Sequence, residues 1–427
     1  MSPPDHPSFS GDRTPLDALL PGQRARVAGR LVQTPGRTLA LRDASGVVEL
    51  RDLPEDLHPG DLVALTGLVD AGPSGPPAFK VAAAERLVCP ARPGSPHSPA
   101  LLEALAARHR MNRAARRFFD DQGFTEVETP NLVEAPGTDV HLAAFQTPFA
   151  GLGPVGPAPL WLHTSPEFAM KRLLAAGMER IYQICKVYRD AEWTASHNPE
   201  FTMIEWYRAF CHYGPIMDDV EALVRALLDR PALAWGDSLV DLSAPFERLT
   251  VQDAFLRHCG LDLLALDTAE ALREAACARG LGPLPEGEAW DDVFHALMLT
   301  WVEPHLGAAR PTFLIDYPRP LAVLARAKDD DPRVAERFEL YVAGVELCNG
   351  FTELNDPVEQ RARFEEDLAH RAALGLPACP MPEAFLRALE QGMPPSGGVA
   401  LGLDRLLMLS LGAQDIGQIL IRAVEAP

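Results

Sequence analysis

Between Ile181 and Phe210 the stretch IYQICKVYRDAEWTASHNPEFTMIEWYRAF carries an arginine, an aromatic ring, a carboxylate and a phenol at spacings that suit chemistry. Two runs rich in Ile, Val, Tyr and Trp, Ile181 to Tyr188 and about Glu200 to Phe210, read as strands joined by a polar loop. Side chains alternate faces along a strand, so Phe201, Met203, Glu205 and Tyr207 share one face and Thr202, Ile204, Trp206 and Arg208 the other. With Arg189 where the loop begins, the first face can hold a flat base, an amine and a phosphate. Taken alone, the same residues also fit an amphipathic hairpin with a solvated glutamate.

A second constellation lies in RFELYVAGVELCNGFTELND, residues 337–356. A two-residue turn at Ala343-Gly344 sets Tyr341 opposite Glu346 and puts Glu339 diagonally on the same face. Two carboxylates on one face repel unless a cation lies between them. Magnesium bridging ATP phosphates suits the pair, because it takes a few protein oxygens and completes its shell with phosphate. Two solvated glutamates on an exposed hairpin are the alternative. Near the C-terminus, SGGVALGLDRLLMLSLG (396–412) reads as a glycine-rich turn running into an apolar helix with Arg405 near its start. An arginine is a poor helix cap there, since cations favour the other end.

The elements that position these residues follow from patterning. Residues 1–14 have the composition of a flexible tail. Five short β-type runs between 15 and 90, separated by PG, SG, PGD and PSGPP, predict a small OB-type β-barrel. Phe79 is the only aromatic residue between 15 and 95, and nine basic residues there are matched by nine acidic ones. Barrels that hold single strands stack bases on aromatics, so this one is poorly equipped to do so. The Pro-rich stretch to residue 99 (CPARPGSPHSP; 91–99 as the linker proper) marks a domain boundary. From 100 to 427 the expectation is one α+β domain. It opens with a helix ending near Gly123 and a strand, TEVETPNL, closed by Pro130. Helical patterns dominate 214–300, and PTFLIDYP (311–318) reads as a strand. GLGPVG (151–156) matches a dinucleotide fingerprint only on paper, being a proline-containing loop that opens no helix, and no Walker-type loop occurs.

Composition narrows the function classes. A chain of 427 residues, 47% hydrophobic, has room for two domains with a sizeable core. Seven cysteines without a CxxC pair argue against a zinc site of the usual spacing and suit a reducing cytoplasm. The polar start and the lack of a long apolar run argue against a signal peptide or membrane span. A net charge of −20 argues against nonspecific nucleic-acid binding.

Arg189 followed by His197-Asn198-Pro199-Glu200-Phe201 resembles motif 2 of the class II lysyl-tRNA synthetases. HTSPEFAMKRLLAAG (163–177) and HNPEFTMIEWYR (197–208) are more similar still to a paralogous family, the elongation factor P–(R)-β-lysine ligases. The likeness runs over roughly residues 100–427. It implies a class II antiparallel-sheet catalytic domain, and the helix and strand ending at Pro130 resemble motif 1, the homodimer interface of that family. It further implies that Arg189 holds the α-phosphate of ATP, Arg405 and His197 the outer phosphates, and Phe201 the adenine. Glu339 and Glu346 match magnesium-binding glutamates. Glu167, Glu205, Tyr207, Asn349 and Glu353 match contacts to the amino-acid substrate. By strand parity Asn349 and Glu353 point away from Glu346, so the match requires a bulge, expected at Gly350. Ala400 replaces a pocket glycine of the tRNA-charging enzymes.

The resemblance implies activation of lysine or β-lysine as an acyl-adenylate, then transfer to a lysine of elongation factor P. A lysine–tRNA ligase is the competing expectation, supported by the N-terminal barrel. A binding or regulatory protein without turnover is a third, supported by the departure Arg189-Asp190-Ala191-Glu192, where the family has Arg-Asn-Glu. Glu192, one residue later, is the candidate substitute.

Overall fold

The computed structural model describes residues 13–421 apart from 35–37, 44, 71–77, 89–98, 141, 152–157, 237, 283, 285, 286 and 323. Most of the N-terminal tail and of the Pro-rich linker, and the GLGPVG stretch after Gly151, lie outside the described residues. The chain divides into two compact units, Met1–Leu102 and Glu103–Pro427.

In the first unit, β1 (Arg24–Gln33), β2 (Leu39–Arg42), β3 (Val47–Arg51), β4 (Leu62–Asp70) and β5 (Ala78–Val88) close into a barrel in the order β1-β2-β3-β5-β4. Alternation along the strands sends Val27, Leu31, Val63 and Leu65 inward, where they pack around Phe79. Phe79 is fully buried, so the barrel's one aromatic ring is core and not a stacking platform. Its charges are paired locally, as in Arg26–Glu85, Arg51–Asp70, Lys80–Asp52 and Arg86–Asp61.

The second unit begins with α1 (Pro99–Asp121), which ends two residues before Gly123 at φ 74°. Strand β6 (Thr125–Glu126) is only two residues long, shorter than the TEVETPNL strand expected: its pairing ends with the bond from the Val127 N–H to the Tyr182 carbonyl at 2.8 Å, before β7 (Leu132–Val133). β8 (Gln146–Phe149) and β9 (Ala158–Leu162) join β7 in a small sheet. Then come α2 (Glu167–Ala175), β10 (Arg180–Tyr188), β11 (Glu200–Ala209), α3 (Tyr213–Leu228), the β12–β13 hairpin (Ala232–Trp235, Ser238–Asp241) and β14 (Glu247–Thr250). Helices α4 (Val251–Cys259), α5 (Ala269–Ala278) and α6 (Trp290–Leu297) lead into β15 (Thr312–Pro318). β16 (Val334–Val342), β17 (Val345–Thr352), α7 (Pro357–Ala373), α8 (Glu383–Gly392), β18 (Ser396–Gly402) and α9 (Leu403–Leu411) complete it.

The main sheet has the order β14-β15-β16-β17-β18-β11-β10-β6. Its two outermost pairs are parallel and the rest antiparallel. One face is covered by α1, α3 and α9: Phe119, Val220, Leu223, Leu406 and Leu407 pack there against Ile204, Trp206, Phe338, Leu340 and Leu401. That apolar face leaves the opposite side chains of the same strands for other work.

Two features of this sheet differ from the sequence reading. Ser396–Gly402 is a central strand and not a turn, because its glycines permit close approach from both sides. A Cβ on Gly398 would lie 2.3 Å from the Tyr207 ring and 2.5 Å from Glu353 Oε1. The β16–β17 turn is the expected one, with Ala343 and Gly344 at φ 52° and 75°, as a two-residue type I′ turn requires. Tyr341 accordingly faces Glu346. The bulge, however, falls at Leu347, between the Tyr341–Glu346 and Leu340–Cys348 pairs, and not at Gly350. Gly350 pairs regularly with Phe338 and is small for another reason: a Cβ would lie 2.6 Å from that ring and 2.7 Å from the Gly398 carbonyl oxygen.

Because one of those contacts is backbone, Gly350→Ala is expected to destabilise the second unit by about 1–3 kcal/mol through overpacking. Denaturant midpoints of the variant and the parent measure this.

Candidate active site

Strand register builds the site. Glu339 pairs with Asn349, Asn349 with Ala400 and Ala400 with Glu205, so four strands contribute one row. The next row runs Arg337, Phe351, Gly398, Tyr207. Leu347, as the extra residue, returns Asn349 to the face of Glu346, so all of these share the side opposite the apolar core. A cavity of about 1140 Å³ opens over them. Arg189, His197, Phe201, Glu205, Tyr207, Glu339, Glu346, Asn349, Ala400 and Arg405 all line it, as does Glu167 from α2. Glu353 does not line it. It lies behind the wall, 2.5 Å from the ammonium of Lys171.

At one end sit the cations. Arg405, in the first turn of α9, donates from Nη1 to the Glu346 carbonyl at 2.9 Å and from Nη2 to His197 Nε2 at 2.5 Å. His197 Nδ1 shares a hydrogen bond with Thr194 Oγ1 at 2.7 Å. Burial, then Arg405 and Arg189, push the His197 pKa down to about 4. The imidazole is therefore neutral at ordinary pH and serves Arg405 as an acceptor. Arg189 lies over the Phe201 ring at 5.1 Å, with its Nε buried and without a hydrogen-bond partner. Glu192 also lines the cavity, its carboxylate 3.8 Å from Arg189, whereas Ala191 turns the loop at φ 62°.

Beside them stand carboxylates that differ in how fully they are partnered. Glu339 is held from three sides, by Arg337 Nη2 at 2.6 Å and the hydroxyls of Tyr317 and Tyr341 at 2.5 and 2.7 Å. Among the described residues the Glu346 carboxylate is paired with Arg405 alone, at 3.5 Å. Burial and then Glu339 hold its pKa above the usual carboxylate value. Glu303, from the turn after α6, lines the same space, and its pKa is pushed up to about 7 by burial and by Glu346 and Glu339. No group of three or more His, Cys, Asp or Glu among the described residues forms a closed metal cage. The uncompensated charge nonetheless fits an ion that takes one or two carboxylates and completes its shell with phosphate, as magnesium does.

At the other end is an acidic, buried pocket. Glu205 accepts from Ser165 Oγ at 2.7 Å and from the Tyr207 hydroxyl at 2.6 Å. Burial and then Glu167 push its pKa up to about 7 despite those bonds. An ammonium entering here relieves that repulsion, so the pocket suits an amine-tipped guest.

Glu303, Lys171 and the Arg337–Tyr317–Tyr341 cradle of Glu339 were not legible in the sequence. Glu303 and Tyr317 belong to no motif near the others, and only the i, i+4 spacing of Glu167 and Lys171 hinted at a pair.

Arginines placed across an antiparallel sheet, with no glycine-rich phosphate loop, define a class II synthetase catalytic domain. Residues 95–422 match the profile of the tRNA synthetases class II (D, K and N), and the chain belongs to that family. Its similarity extends to ligases of one kind. It is 46% identical over 311 residues to the elongation factor P–(R)-β-lysine ligase of Edwardsiella ictaluri, covering 73% of this chain and 91% of that protein. The ligases of the same name from Erwinia tasmaniensis and Salmonella typhi are 46% and 45% identical over the same shares. The chain is thus an adenylate-forming ligase by class, in a family that uses ATP. Among the described residues no helix is long and apolar enough to cross a membrane.

The lowered pKa of His197 has a stability consequence. The unfolded chain takes up this proton near pH 6.5 and the folded one only near 4, so native stability falls as pH drops through that window. His197→Gln removes the titration. The melting temperature of the parent is expected to fall relative to that of the variant as pH drops from 6.5 to 4.

Proposed function

We propose that the chain activates lysine or a lysine-like acid such as (R)-β-lysine with ATP, and passes the acyl group to a lysine side chain of elongation factor P. The observation that carries this reading is the division of one cavity into a cationic end, a carboxylate pair and an acidic amine pocket. The names of the similar ligases support the acceptor.

In the first step a substrate carboxylate oxygen attacks the α-phosphorus of ATP. The bond to the bridging oxygen breaks and pyrophosphate leaves, giving the acyl-adenylate. No nucleophilic side chain is required, and the site acts by positioning and charge neutralisation. Arg189 is the residue for the α-phosphate, and Arg405, oriented by His197, for the outer phosphates. Phe201 offers a ring to the adenine once Arg189 swings from it. Glu339 and Glu346 would hold magnesium, which when bound neutralises phosphate charge. Glu205, Tyr207 and Glu167 receive the amine end, Asn349 and Ala400 shape the floor between, and Glu353 acts from behind. In the second step the acceptor amine attacks the acyl carbon, loses a proton, and AMP leaves. Glu192 stands where a carboxylate can still reach the base or the acceptor. The reading also carries a cytoplasmic homodimer built around α1 and β6.

A lysine–tRNA ligase is the second reading. It has the barrel architecture in its favour and the buried Phe79 against it.

Purified protein incubated with labelled lysine or β-lysine, ATP and either elongation factor P or total tRNA separates the two. Labelling of elongation factor P is expected, and labelling of tRNA alone rejects the proposal. Arg189→Ala and Arg405→Ala are each expected to lower ATP–pyrophosphate exchange by about a hundredfold or more, the scale for losing one preorganised charge donor.

A further inference from the structure

Lys171 takes no part in the chemistry above, yet it is completely buried. Its Nζ lies 2.6 Å from Glu167 Oε1 and 2.5 Å from Glu353 Oε2. The rings of Phe351 and Phe385 flank it at 5.8 and 5.7 Å. Its neighbours on α2, Met170 and Leu174, belong to an apolar cluster with Phe364, Phe385 and Leu386. Burying an ion pair in such surroundings gains little over a well-packed apolar residue. Stability alone therefore does not account for an ammonium here.

The two carboxylates it touches differ in kind. The Glu353 side chain is sealed from solvent, whereas that of Glu167 is 18% exposed and lines the cavity. Lys171 thus links a hidden charge to one that faces the substrate. Burial alone pushes the ammonium pKa down, but Glu167 and Glu353 more than offset this and keep it charged. Glu353 is seated on the sheet: its backbone N–H donates to the Ser396 carbonyl at 2.8 Å, and its Oε1 lies where a Cβ on Gly398 would come within 2.5 Å. Glu167 is thus linked through Lys171 to a residue hydrogen-bonded to the sheet.

We propose that Lys171 is a positioning residue for amine recognition: by tying Glu167 to Glu353 it fixes where the Glu167 carboxylate points, and so determines how the enzyme selects an ammonium-tipped acid. This rests on the amine-acid reading of the site. Lys171 touches neither substrate nor reacting atoms.

Removing Lys171 alone leaves Glu353 buried and unpaired, which destabilises the fold whatever the role. The informative variant is the neutral pair Lys171→Met with Glu353→Gln, and Lys171→Gln with Glu353→Gln serves if the first does not fold. ATP–pyrophosphate exchange is measured with lysine and with norleucine, its analogue without the side-chain amine. The pair is expected to raise the KM for lysine by about tenfold to a hundredfold, the scale of one charge-assisted contact. The KM for ATP should stay within about twofold, and the preference for lysine over norleucine should shrink by the same factor as the lysine KM rises. Adding Glu167→Gln to the pair should then cost little more, because the two changes remove one contact. A folded neutral pair with parental lysine KM and selectivity overturns the proposal and makes Lys171 a structural charge only. If the unmodified protein exchanges with neither lysine nor β-lysine, the amine-acid reading itself fails, and this proposal with it.

Discussion

A carboxylate taken out of water must find donors or cations close by, and most contacts around the cavity answer that demand. Glu339 is met by Arg337 and two tyrosines. Glu205 has a serine and a tyrosine. Asp404, at the start of α9, is met by Arg108 from α1 and by the Thr202 backbone N–H from β11 at 2.9 Å. This last contact pins the helix that carries Arg405 to the strand that carries Phe201 and Glu205. Together with the β11–β18 pairing, this buried aspartate holds the cationic and acidic ends of the site at a set separation. Where the demand is left unmet, at Glu346 and Glu303, the excess negative charge is what a metal–nucleotide complex can offset.

Much of this was legible because strands have a period of two. Phe201, Glu205 and Tyr207 share a face for the same reason that Ile204 and Trp206 share the core, and both follow from the spacing alone. The turn at Ala343-Gly344 was legible because so few two-residue turns fit a hairpin. The bulge was foreseen in kind but not in place, since nothing about Leu347 marks it and the glycine three residues later drew attention by its type. The 396–402 segment misled for the same reason: glycine usually signals a turn, but here it lets neighbouring side chains lie flat across a strand.

Partnerships between distant segments were the least legible. Lys171 and Glu353 are 182 positions apart, and the pairing exists only because the fold brings α2 beside the residue that follows β17. A buried lysine and a surface lysine look the same in a string of letters. The barrel was the opposite case. Its shortage of aromatic residues was visible in composition, and the fold spends the one it has on its own interior.

The single additional residue at Leu347 has a consequence for how this hairpin can change over time. Losing one codon there would remove only the bulge, because Cys348 would still face Leu340 and Asn349 would still face Glu339 in unbroken register. From Cys348 to Phe351 every residue has a partner on β16, so a codon lost there has no spare residue to absorb it and would carry the residues beyond it to the opposite face. The ribbon can therefore shorten by one residue at a single point and nowhere along the paired run that follows it.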